Sequence, residues 1–212
     1  MDASFWHERW ENQQIGFHRP EPHELLKKHF LNGIKAPATV FVPLCGKSKD
    51  LLWLLQKGYR VFGVELSELA VKQFFEDNQL TPEITQRGEF KEYAVDELVI
   101  WVGDFFKLQQ NDLAGVDAWY DRAAMIALPP EMRRHYVQQL CEQLPGSAKG
   151  LLITLQYPAG YKDGPPFSVL EGEVEAGYGQ RFSIEQIESG EGVINDQKPE
   201  DNPVTEQVYR LD

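Results

Sequence analysis

Cysteine is scarce in this chain, with only Cys45 and Cys141 among 212 residues. Two thiols make neither a disulfide framework nor a thiolate metal cluster, and they suit a reducing, cytoplasmic compartment. The five histidines show no ligand spacing with them, so no metal is expected. Positive charge is also short, 21 Lys and Arg against 33 Asp and Glu, for a net charge of -12. Such a chain repels phosphate backbones, which argues against a nucleic-acid partner. No apolar run approaches the roughly 20 residues that span a bilayer. Met1-Asp2-Ala3-Ser4 lacks the charged and apolar regions of a signal peptide. Repeats, linkers and low-complexity tracts are missing too. The composition that remains, 42% apolar and 12% aromatic, suffices for one domain over residues 1–212 with one core.

Strand and helix patterns alternate along the chain. Residues 4–10 and 24–30 read as short helices, and together the first 30 residues read as a helical lid ahead of the first strand. Val40-Phe41-Val42 is a buried strand, residues 50–56 a crossover helix stopped by Gly58, and Tyr59 to Val64 a second strand ending at Glu65. Ser67 caps the next helix. Residues 90–102 and 116–120 read as further strands, Pro129-Pro130 opens a helix, and residues 151–155 form another strand. The period weakens after Pro158, and residues 206–211 offer a terminal strand. The fold class expected is α/β, a doubly wound, mostly parallel sheet with helices on both faces.

Glycine is thin where a nucleotide would need it. Pro43-Leu44-Cys45-Gly46-Lys47 joins the first strand to its helix with a single glycine. A P-loop needs a glycine five positions before Gly46, where Phe41 stands. A dinucleotide site needs G-x-G-x-x-G, and two of its three glycines are missing. The acid about 20 residues on, Glu65, is still placed to accept hydrogen bonds from both ribose hydroxyls. A cofactor with a ribose and no phosphates fits this turn, and S-adenosylmethionine is one. Arg122 ends another strand over the same crevice. An ion pair with Asp121 is its default reading, but at a strand end it offers a fixed donor and charge.

Three strings then carry a resemblance. Phe41-Val42-Pro43-Leu44-Cys45-Gly46-Lys47, Gly63-Val64-Glu65-Leu66-Ser67-Glu68-Leu69 and Tyr120-Asp121-Arg122-Ala123-Ala124 resemble the thiopurine S-methyltransferases, class I S-adenosylmethionine-dependent methyltransferases. Phe5-Trp6-His7-Glu8-Arg9-Trp10, Ile15-Gly16-Phe17-His18 and Gly164-Pro165-Pro166-Phe167 resemble them also. The likeness runs from about residue 5 to 167. It implies a Rossmann-like sheet of seven strands and S-methylation of aromatic or heterocyclic thiols such as 6-mercaptopurine. It further implies that Leu44 and Gly46 meet the cofactor's methionine end, Asp104 and Phe105 the adenine, and Trp6 and Trp10 fold over it. Phe17, Pro166 and Phe167 would meet the acceptor, and Arg122 both ligands.

A sulfonium methyl needs a nucleophile brought close, aligned and partly dehydrated more than it needs acid catalysis. An acidic aromatic thiol with Arg122 beside it needs no dedicated base, and His18 is given no such role. The partner expected is thus a small-molecule thiol, met by a cytoplasmic monomer. Selenium, tellurium or small thiol compounds form an alternative acceptor class. A non-catalytic S-adenosylmethionine-binding module is the alternative outside catalysis.

Overall fold

A computed structural model of the chain describes residues 3–109, 111–194 and 202–212. Strand β1 (Thr39–Pro43) is buried from Val40 to Pro43, the pattern of a strand covered on both faces. Val40 and Val42 enter one apolar layer with Leu51 and Leu54, while Phe41 enters another with Trp119 and Tyr136. Two cores therefore sandwich the sheet.

Helices α1 (Ala3–Glu11) and α2 (Glu24–His29) precede β1, and α3 (Asp50–Gln56) follows it. Gly58 at φ +85° turns the chain into β2 (Arg60–Glu65), which runs parallel to β1 with Val42 opposite Gly63. Helix α4 (Glu68–Asp77) is capped by Ser67, whose side chain accepts from the Ala70 amide at 3.3 Å. An antiparallel meander follows, β3 (Glu83–Arg87), β4 (Phe90–Val95) and β5 (Leu98–Val102), and β5 then pairs parallel to β2. Strand β6 (Ala118–Arg122) lies on the other side of β1, α5 (Pro130–Gln143) leads to β7 (Lys149–Gln156), and α6 (Glu171–Tyr178) to β8 (Ile184–Glu191) and β9 (Thr205–Leu211).

The sheet order is β3-β4-β5-β2-β1-β6-β7-β9-β8. Its five central strands are parallel and send their C-terminal ends to one edge. The order reverses direction between β1 and β6, and a crevice opens at such a switch point. Among the described residues the sheet thus has nine strands where the resemblance implies seven. Residues 90–102, which read as one strand-like stretch, are a hairpin turning at Asp96, φ +49°. Strand β3 is exposed at every position, so no apolar period announces it. Strand β8, at the opposite edge, lacks a buried residue as well. No helix among the described residues is long and apolar enough to cross a membrane.

Candidate active site

The crevice holds a cavity of about 880 Å³. Its walls come from the ends of β1, β2, β6 and β7, from the loop after β5, from residues 3–25, and from the β8–β9 region. Leu44 at the end of β1 and Ala123 at the end of β6 both adopt positive φ, +47° and +67°. Left-handed backbone at non-glycine residues is strained, and here it occurs where two strands turn into the cavity.

Glu65 closes β2 and is 6% exposed. Its Oε2 accepts from the Gly46 amide and its Oε1 from the Ser67 amide, each at 2.8 Å. The carboxylate thus ties the β1 turn to the cap of α4. Burial pushes its pKa above the ordinary value, and the amides of Ser67, Gly46 and Leu66 restrain that rise. Each oxygen is hydrogen-bonded by one backbone amide and keeps a lone pair, so the pair offers acceptors to which the two hydroxyls of a vicinal diol can donate. Gly46, at φ +52°, sits in a conformation that strains any side chain, and a Cβ there would press on the Trp10 ring at 3.1 Å. Cys45 is buried under this turn against Gly63, and burial and then Glu65 raise its thiol pKa well above the usual range. It is a packing residue.

Arg122 and Asp121 do not form the ion pair that their adjacency suggests. Successive side chains of a strand point to opposite faces. Asp121 is fully buried, with Oδ2 accepting from Tyr136 Oη at 2.6 Å and Oδ1 from the Met125 amide at 3.0 Å. Burial raises its pKa to about 6. Arg122 faces the cavity, where Nη1 donates to the Phe17 carbonyl at 3.1 Å. One of its five N–H donors is used there, and the guanidinium keeps others for a ligand. The Phe17 ring meets Trp6 and Trp10 edge-on, at centroid distances of 6.0 and 5.5 Å. These three rings roof the cavity. His18, beside them, also lines it, with a pKa lowered by burial and then by Lys47.

Trp6, Trp10, Phe17, Leu44, Gly46, Glu65, Asp104, Phe105, Arg122 and Pro166 all stand on this one cavity. Asp104 spends Oδ1 on the Phe106 amide at 2.9 Å, and Oδ2 has no hydrogen-bond partner among the described residues. Phe105 is 2% exposed and packs mainly on Phe41, Phe106 and Tyr136. Phe167 is outside the lining. Its ring lies over Gly164 and its amide donates to the Ile126 carbonyl at 2.6 Å. Sequence reasoning missed Arg9, His23, Ile153, Leu155 and Glu206, which also line the cavity. The only available signal was that residues 151–155 form a strand, whose end had to reach the same edge.

Comparison with known proteins gives a consistent result. The model of the thiopurine S-methyltransferase (TPMT) family matches residues 1–212. A thiopurine S-methyltransferase of Pseudomonas fluorescens (strain Pf0-1) is 46% identical, covering 100% of this chain and 99% of its own. One from Pseudomonas aeruginosa (strain UCBPP-PA14) is 48% identical over 90% of this chain and 88% of its own. Among solved structures, an S-adenosylmethionine-dependent methyltransferase from Anabaena variabilis superposes with a TM-score of 0.67 at 16% identity, covering 99% of this chain and 95% of its own. The 1,6-didemethyltoxoflavin-N1-methyltransferase of Burkholderia thailandensis, solved with S-adenosylhomocysteine, gives 0.65 at 14% identity over 99% and 85%. At those identities the structures speak for the fold, and the sequence matches for the family: the chain belongs to the thiopurine S-methyltransferase family of enzymes.

Proposed function

We propose that this enzyme S-methylates aromatic and heterocyclic thiols of the thiopurine kind, as a cytoplasmic monomer whose first 30 residues act as a lid. The observation that carries the reading is Arg122, a guanidinium with free donors, facing the same aromatic-roofed cavity as the buried Glu65. S-adenosylmethionine is the cofactor, and when bound it supplies an activated methyl on a positively charged sulfonium. Glu65 would hold the ribose, the backbone at Leu44 and Gly46 the methionine end, and Asp104 the adenine amine. Trp6, Trp10 and Phe17 keep water from the reacting end. Arg122 favours the thiolate form of the acceptor and orients it through its planar fork. No side chain has to remove a proton from a thiol that is already ionised.

Selenium, tellurium or small aliphatic thiol acceptors remain the second class, since the same guanidinium serves any polarizable anion. Membership in an enzyme family sets aside the non-catalytic module. A labelled methyl-transfer screen over aromatic thiols, selenite, tellurite and aliphatic thiols separates the acceptor classes. Arg122→Ala should lower kcat/KM for 6-mercaptopurine by roughly 10²-fold, the order expected for one preorganised donor, and Arg122→Lys should restore part of it. Equal small losses for every acceptor, whatever its acidity, would make Arg122 structural. A wild type inert toward all aromatic thiols would end the thiopurine reading.

A further inference from the structure

Trp6, Arg9 and Trp10 share one side of α1 by their i, i+3, i+4 spacing, and all three line the cavity. Arg9 differs from every other cation there. Lys47 pairs with Asp77 at 3.0 Å, Arg122 donates to the Phe17 carbonyl, and Arg19 is exposed at the rim. Arg9 is only partly exposed, and its Nε is buried with no hydrogen-bond partner. Its guanidinium has no ion pair or hydrogen bond among the described residues. It lies over the Phe5 ring, whose centroid is 4.5 Å from Cζ. Three carboxylates on the cavity wall are engaged elsewhere, Glu65 by two amides, Glu24 by Lys27 at 2.8 Å, and Glu206 by His23 at 3.2 Å, and Asp104 spends one oxygen on the Phe106 amide.

A buried, unpaired N–H carries a desolvation penalty that a native fold does not retain without a reason. Stacking on Phe5 leaves the planar fork intact, and a fork of this kind matches a carboxylate by two parallel hydrogen bonds. We propose that Arg9 is a carboxylate-binding residue of this cavity, completing its pairing only when a ligand carboxylate arrives. The inference rests on the cavity being the methyl-transfer site. Two ligands bring that group to such a site: the amino-acid end of the cofactor, or an acidic substituent on the thiol acceptor. The aromatic wall formed by Trp6 and Trp10 would lower the local dielectric and strengthen either pairing.

Titration calorimetry on wild type, Arg9→Ala and Arg9→Lys tests the first source. S-adenosylhomocysteine carries the carboxylate, whereas 5′-methylthioadenosine shares its adenosyl thioether and lacks the amino acid. Arg9→Ala should weaken S-adenosylhomocysteine tenfold or more and leave 5′-methylthioadenosine unchanged, which also reports that the variant is folded. Arg9→Lys should recover part of the loss. For the second source, kcat/KM is compared for 2-mercaptobenzoate and thiophenol, and a tenfold loss confined to 2-mercaptobenzoate identifies an acceptor carboxylate. A loss confined to the carboxylate-bearing member of either pair supports the proposal and names its source. Unchanged values for both pairs, or equal losses within both, overturn it. A wild type that binds neither nucleoside would instead overturn the reading of the cavity as the methyl-transfer site.

Discussion

At the scale of single residues, adjacency in a strand separates two charges by purpose. Asp121 and Arg122 share a peptide bond, yet one braces the turn after β6 from the core and the other faces the ligand space. The aspartate's pKa, about 6 against an ordinary 3.8, has a definite stability consequence. The folded state binds this proton more tightly than the unfolded chain, so the contribution of Asp121 worsens as pH rises from about 4 to 6 and is constant above. The span corresponds to about 3 kcal/mol for a fully buried group. Asp121→Asn cannot titrate. Urea unfolding of both proteins between pH 4 and pH 7 should show the wild type gaining on the variant as pH falls. A difference independent of pH would mean that the carboxyl is already ionised at pH 4.

At the scale of elements, the roof is held by side-chain packing and by one backbone acceptor. Phe17→Ala removes two edge contacts, each about 0.5–1.5 kcal/mol, while leaving the carbonyl that receives Arg122. It should therefore reduce kcat/KM about tenfold, lower Tm by a few degrees, and speed proteolytic cutting within residues 3–25. Wild-type turnover in the variant would show that the roof does not govern the reaction. The elements nearest the reaction were readable from sequence, because the β1–α3–β2 unit is apolar on both faces and punctuated by Gly58 and Ser67. The edges were not. Strand β3 alternates nothing, since all five of its residues meet solvent, and its existence depends on pairing with β4. The reach of β7 and β9 into the site was hidden for another reason: Ile153, Leu155 and Glu206 read as ordinary strand residues until the sheet order places them at the cavity edge.

At the scale of the whole molecule, ligand binding and folding are linked. Any molecule that binds only the folded state stabilises it by about 2.7 kcal/mol at a concentration of 100 Kd. For a chain of this size that should raise Tm by about 5 to 10 °C with S-adenosylhomocysteine. Glu65→Ala loses a doubly anchored acceptor, and a more than tenfold weaker Kd at the same ligand concentration would remove about half of that rise. Differential scanning calorimetry with and without ligand measures both values. An undiminished rise in the variant would take Glu65 out of the ligand's reach.

The position of β9 has a consequence for the order of assembly. β8 is made first, but it pairs only with β9, which lies between it and β7. During synthesis β8 therefore has no strand to join until Thr205–Leu211 has left the ribosome. The β7–β9 pairing joins residues well separated along the chain, and such non-local contacts form more slowly than local ones. Glu206 sits on that same late strand and on the cavity wall. A nascent chain that has completed β1 to β7 therefore still lacks the part of the cavity wall that Glu206 supplies, which arrives only with β9.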